Sequence, residues 1–108
     1  MYTIDLHNFT TYSAIANLDK YLSFGRKEKD RLIKFITGYG KSNGSHKIKT
    51  ALLNKLEEYK LIKKIKDYLD GSNNDMFKEQ YHKFLGKNVI PEDERTKANS
   101  GIIYVFVW

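Results

Sequence analysis

The chain has no cysteine and a single proline among its 108 residues. Without thiols, disulfide cross-links, thiolate metal centres and cysteine nucleophiles are excluded. No apolar stretch approaches the roughly 20 residues that a membrane-crossing helix needs. The start, Met1-Tyr2-Thr3-Ile4-Asp5, lacks the basic and apolar blocks of a secretory leader, so a reducing, cytoplasmic setting is the expectation and no membrane partner is expected. Arginine is scarce: Arg26, Arg31 and Arg95 stand against 16 lysines. The length suits one domain over residues 1–108, large enough to bury a core without metals.

The balance of 19 basic against 13 acidic residues leaves a net charge of +6, which favours a polyanionic partner such as nucleic acid. A coding bias toward Asn, Ile, Tyr and Lys is the rival explanation for that charge, so the motifs have to carry the argument.

Residues 2–7 alternate, with Tyr2, Ile4 and Leu6 on one side and Thr3, Asp5 and His7 on the other, the period of a strand with one covered face. Thr10 or Thr11 can cap the helix that follows. Ala14, Ile15, Leu18, Tyr21 and Leu22 recur in it at helical spacing, and Phe24-Gly25 is its expected end. A charged loop, Arg26 to Asp30, leads into a second strand, Leu32 to Ile36. Thr37-Gly38-Tyr39-Gly40 opens a glycine-rich loop to Ser45. A second helix, about 46–59, carries Ile48, Leu52, Leu56 and Tyr59 on one stripe. Leu61 to Tyr68 reads as a third strand with a basic run, Lys60, Lys63, Lys64 and Lys66, beside it. Ile102 to Val107 is apolar on both faces, hence central or covered twice.

Residues 70–100 exceed a strand-to-strand turn. Ser72, Asn73 or Asn74 can cap a short helix there, with Phe77, Tyr81, Phe84 and Leu85 as its stripe and Gly86 as its stop. That helix is expected to cover the side of the last strand bearing Ile102, Tyr104 and Phe106; an exposed aromatic surface for stacking bases is the rival reading. Pro91 and Glu92-Asp93-Glu94-Arg95 read as solvated loop.

Two strands joined by a crossover helix are usually parallel and finish on the same edge. Asp5, His7 and the glycine loop then meet at the edge where α/β proteins bind ligands. A carboxylate two residues from a histidine on one strand face can orient the imidazole and raise its pKa, which suits proton transfer near neutral pH. Glycines let backbone N–H groups approach a phosphate, with a helix N-terminus behind them. Thr37, Gly38, Gly40, Lys41, Ser42, Ser45, His46 and Lys47 are the candidate phosphate or nucleic-acid ligands. The loop has neither the spacing of an ATP-binding loop nor that of a dinucleotide fingerprint. RNA carries its own nucleophile, the 2′-hydroxyl, whereas DNA needs an activated water, commonly made by a metal. No carboxylate cluster near the edge resembles a two-metal site, so RNA outranks DNA. This chemistry requires no cofactor; divalent-metal dependence and oligomeric state stay open.

The order strand-Asp-Leu-His, helix, strand-Thr-Gly-Tyr-Gly, helix, two strands resembles the Smr (small MutS-related) domain. The resemblance covers about 2–68 and 100–107. It implies an α/β, two-layer β-α-β-α-β-β fold with a mixed four-stranded sheet. Here a short extra helix would sit in an insertion at about 70–100. That fold is similar to the C-terminal domain of a bacterial translation initiation factor. Many Smr domains are nucleases that nick DNA or cut messenger RNA on stalled ribosomes. The resemblance thus implies an endonuclease with Asp5 and His7 as catalytic residues and Gly38 and Gly40 in the phosphate loop. A non-catalytic RNA- or ribosome-binding module is the alternative. Asn8 replaces the glycine that usually follows the histidine, and Lys41-Ser42 stand where some relatives carry a second histidine.

Overall fold

The computed structural model describes residues 1–38, 45–72, 90–95 and 98–108. The sheet holds β1 (Tyr2–Asp5), β2 (Leu32–Ile36), β3 (Asp67–Asp70) and β4 (Ile102–Phe106) in the order β1-β2-β4-β3. β1 and β2 are parallel, and β4 runs antiparallel to both β2 and β3. β1, β2 and β3 therefore all finish at one edge. This is the mixed α/β sheet that the motif order implied, with β4 at its centre.

The helices are α1 (Thr11–Ala16), α2 (Leu18–Arg26), α3 (Ser45–Leu61) and a single turn, α4 (Glu92–Arg95). Thr10 caps α1 by accepting the Ser13 N–H at 3.0 Å. The expected single helix is broken at Asn17, whose side-chain amide donates to the Ser13 carbonyl at 2.8 Å and competes with the regular ladder. Gly25 lies inside α2 rather than past its end. A Cβ there would stand 2.3 Å from the Ile33 side chain, so glycine permits the close approach of helix to strand.

Leu61 and Ile62 do not begin a strand. α3 runs on to Leu61, and β3 starts only at Asp67. The helix stops in a Schellman arrangement: Lys63 N–H donates to Lys60 O at 3.1 Å and Lys64 N–H to Tyr59 O at 2.8 Å. Lys63 takes the left-handed backbone, φ 60°, that glycine usually supplies.

One sheet face packs Ile33, Phe35, Ile103, Val105 and Val107 against α1–α3 through Leu18, Leu22, Leu52 and Leu56. The other face carries a smaller cluster of Leu32, Leu69, Ile90, Tyr104 and Phe106. β4 is thus covered on both sides, as its unbroken apolar run predicts. Ile90 supplies part of the outer cover. The expected helix with Phe77, Tyr81, Phe84 and Leu85, and His82, lie outside the described residues. Residues 92–95 are helical rather than loop, and Glu94 is not solvated. It reaches back to the sheet and pairs with Lys34, both side chains less than one-fifth exposed. Among the described residues no helix is long and apolar enough to cross a membrane.

Candidate functional site

The alternation in β1 sends Leu6 into the core and leaves Asp5 and His7 about half exposed, 49% and 47%. The Leu6 N–H still pairs with Ile36 O at 2.7 Å, which holds the end of β1 to β2. The chain then turns, with Phe9 N–H donating to Leu6 O at 3.0 Å. Asn8 is not among the residues with left-handed backbone, so this turn does not require the glycine that Asn8 replaces.

His7 binds Asp5 twice. Its backbone N–H reaches Asp5 Oδ1 at 3.0 Å, and its ring Nδ1 lies 2.5 Å from the same oxygen. The ring bond, then the backbone bond, hold the Asp5 carboxyl below its ordinary pKa. A carboxylate only accepts, so the shared proton sits on Nδ1 and Nε2 of the neutral ring is the acceptor.

Thr37 and Gly38 stand at the same edge. Thr37 N–H donates to Gly101 O at 2.7 Å. Gly38 adopts φ 85°, and a Cβ on Gly101 would come within 2.9 Å of the Gly38 carbonyl. The backbone at Gly38 is thus packed against the start of β4. Thr37 is fully buried, and its hydroxyl faces the Gly38 carbonyl at 3.5 Å.

α3 begins beside this edge. Ser45 and His46 form its first turn, and Lys47 is exposed. Lys49, one turn in, pairs with Asp70 at 3.1 Å, tying α3 to the end of β3. Asp70 also accepts from Ser72. Gly40, Lys41 and Ser42 lie outside the described residues, as do the side chains of Ser45 and His46.

The basic run lies elsewhere. Lys60 pairs with buried Asp67 at 3.1 Å, at the start of β3 and so at the opposite edge. Lys64 pairs with Asp19 at 3.0 Å and sits over the Tyr59 ring, while Lys66 lies over Trp108. Tyr59 also donates to Asp19 at 2.8 Å; burial first, and then this bond, push its hydroxyl up to about 12. These lysines tie the sheet to its helices. Trp108 belongs to the same edge through its ring N–H and the Lys63 carbonyl.

Two aromatic residues beside the His7 turn escaped the reading of the chain. Phe9 is 37% and Tyr12 83% exposed, on either side of the Thr10 cap. The signal was there: neither falls on the apolar stripe of the first helix. Among the described residues no group of three His, Asp or Glu side chains is placed to hold a metal ion.

Comparison with curated proteins and with solved structures found no match. A family model described as Smr domain matches residues 4–75, which include Asp5, His7, the glycine loop and all of α3. The match spans well over half of the 108 residues. The chain belongs to the Smr domain family, a nuclease-associated family of nucleic-acid-binding domains.

Proposed function

We propose that the protein is an endoribonuclease. The observation that carries this is the Asp5–His7 pair, 2.5 Å apart and open to solvent at the edge where β1 and β2 both end. In this reading His7 Nε2 takes the proton of a ribose 2′-hydroxyl. The freed oxygen attacks the adjacent phosphorus. The P–O5′ bond breaks, leaving a 2′,3′-cyclic phosphate and a 5′-hydroxyl end once the leaving oxygen is protonated. Asp5 fixes the ring tautomer and stabilises the imidazolium as it forms. Gly38, Gly40 and the amides around Lys41 hold the scissile phosphate. Ser42, Ser45, His46 and Lys47 add contacts, and Thr37 supports the loop from beneath.

The domain reading follows the sheet. β4 lies beyond the matched residues 4–75 yet is its central strand, which supports one Smr-like domain over 1–108 with an insertion at about 70–100.

The test incubates the protein with labelled single-stranded RNA, single-stranded DNA and DNA duplex, with and without EDTA. RNA cleavage that is lost in His7→Ala supports the reading. RNA binding without cleavage replaces it by a non-catalytic RNA- or ribosome-binding module. Absence of binding to any of the three at low salt overturns both.

A further inference from the structure

A cavity of about 240 Å³ opens on the outer face of the sheet, between β4 and Asp93, Glu94, Ala98 and Asn99. Lys34, Asp93, Glu94, Asn99, Ile102 and Tyr104 line it. Resting on the ribonuclease reading, we propose that this cavity is a nucleobase pocket, which takes one amino-bearing base from a nucleotide flanking the phosphate at His7.

Placement is the first argument. Asp5 pairs with Ile36, and Ile36 with Ile102, so the three form one row across the sheet. Residues directly opposite in a sheet share a face. Ile102 therefore sits on the Asp5 side, two strand spacings away, roughly 10 Å. A nucleotide can bridge a phosphate at one end of that row and a base at the other.

Chemistry is the second. Asp93 and Glu94 bring carboxylates, which accept hydrogen bonds and repel phosphate. They suit the amino edge of a base and not its backbone. Lys34 pairs with Glu94 on the cavity lining. Ile102 and the buried Tyr104 supply apolar surface for a planar ring. Burial, before the nearby Glu94 and Asp93 carboxylates, keeps the Tyr104 hydroxyl protonated far above neutral pH.

Size and rigidity are the third. The volume lies below the roughly 300–1,000 Å³ of clefts for drug-sized ligands, which fits a single ring system. Asn99 is held on both sides, its N–H on Gly71 O at 2.6 Å and its Oδ1 on the Gly101 N–H at 2.9 Å. Asp93, Glu94, Asn99, Ile102 and Tyr104 all lie beyond the family-matched residues 4–75. The pocket thus draws on both matched residues, Lys34 and Gly71, and residues beyond the match, and is placed to set base preference.

The probes are the four ribonucleosides, which carry no phosphate, titrated against the ¹⁵N-labelled protein. Adenosine, guanosine and cytidine are expected to shift the Gly71, Asn99 and Ile102 amides saturably, with uridine about three- to tenfold weaker. Ala98, exposed on the cavity lining, accepts a larger side chain without touching the core. Ala98→Phe should remove these shifts and flatten the dependence of RNA cleavage on the base beside the cut. Wild-type protein in which no nucleoside moves these amides overturns the pocket, as do shifts that survive Ala98→Phe. If nucleosides bind but RNA is neither bound nor cut, the ribonuclease reading falls and the base pocket stands. If RNA is cut with no base preference and no nucleoside shifts, the pocket falls alone.

Discussion

If Asp5 acts only through His7, the two substitutions should not add. His7→Ala removes the proton acceptor, and general-base catalysis typically supplies about 10²–10⁴-fold. Asp5→Asn leaves an oxygen that still accepts from Nδ1 but removes the charge. Hydrogen bonds to charged groups are worth about 1.5–3 kcal/mol and neutral ones about 0.5–1.5, so the difference is about 1 kcal/mol. Both side chains are about half exposed, which pushes that figure to its lower end. The expected loss for Asp5→Asn is therefore about three- to tenfold. In the His7→Ala background the same change should cost nothing further. Single-turnover cleavage of one labelled RNA at fixed salt measures all four proteins. A double variant slower than His7→Ala by the whole Asp5 factor would refute the argument.

Lys34→Met strands the Glu94 carboxylate against the sheet and should cost about 1–3 kcal/mol in urea unfolding; Lys34→Met with Glu94→Leu should recover most of it. Lys47 stands at the active edge, so Lys47→Ala should reduce the slope of log affinity for single-stranded RNA against log salt by about 0.7, while Lys60→Ala, held by Asp67 at the far edge, should leave it unchanged. The Asp5 carboxyl titrates below its ordinary value in the fold, so its contribution to stability is complete above that ordinary value and is lost as pH falls through the lowered one. Carboxyl-carbon NMR of Asp5 should show the low midpoint, and His7→Ala should move it back up.

The local signals that could be read in the chain were those whose cause is local. Tyr2, Ile4 and Leu6 alternate because one face of β1 is covered, and Ile102–Phe106 is apolar throughout because β4 lies inside the sheet with cover on both sides. The Asp5–His7 pair was legible for the same reason, since a spacing of two on a strand fixes a shared face. What failed depended on partners far along the chain. Nothing around Lys63 announces a helix stop, because lysine occupies the left-handed position that glycine normally marks. Lys60 and Lys64 read only as part of a basic run beside a strand, but Asp67 and Asp19 hold them. Glu94 looked like loop, and only the fold brings Lys34 beneath it.

The place of β4 has a consequence for synthesis. β2 and β3 have no contact as neighbours until residues 102–106 slide between them. A nascent chain that has already made the Asp5–His7 pair and α3 still carries two open strand borders, a template for unwanted association. The ribosome must deliver residues 102–106 before the sheet can zip shut, so ribosomal pausing within 75–100 should be more harmful than pausing earlier.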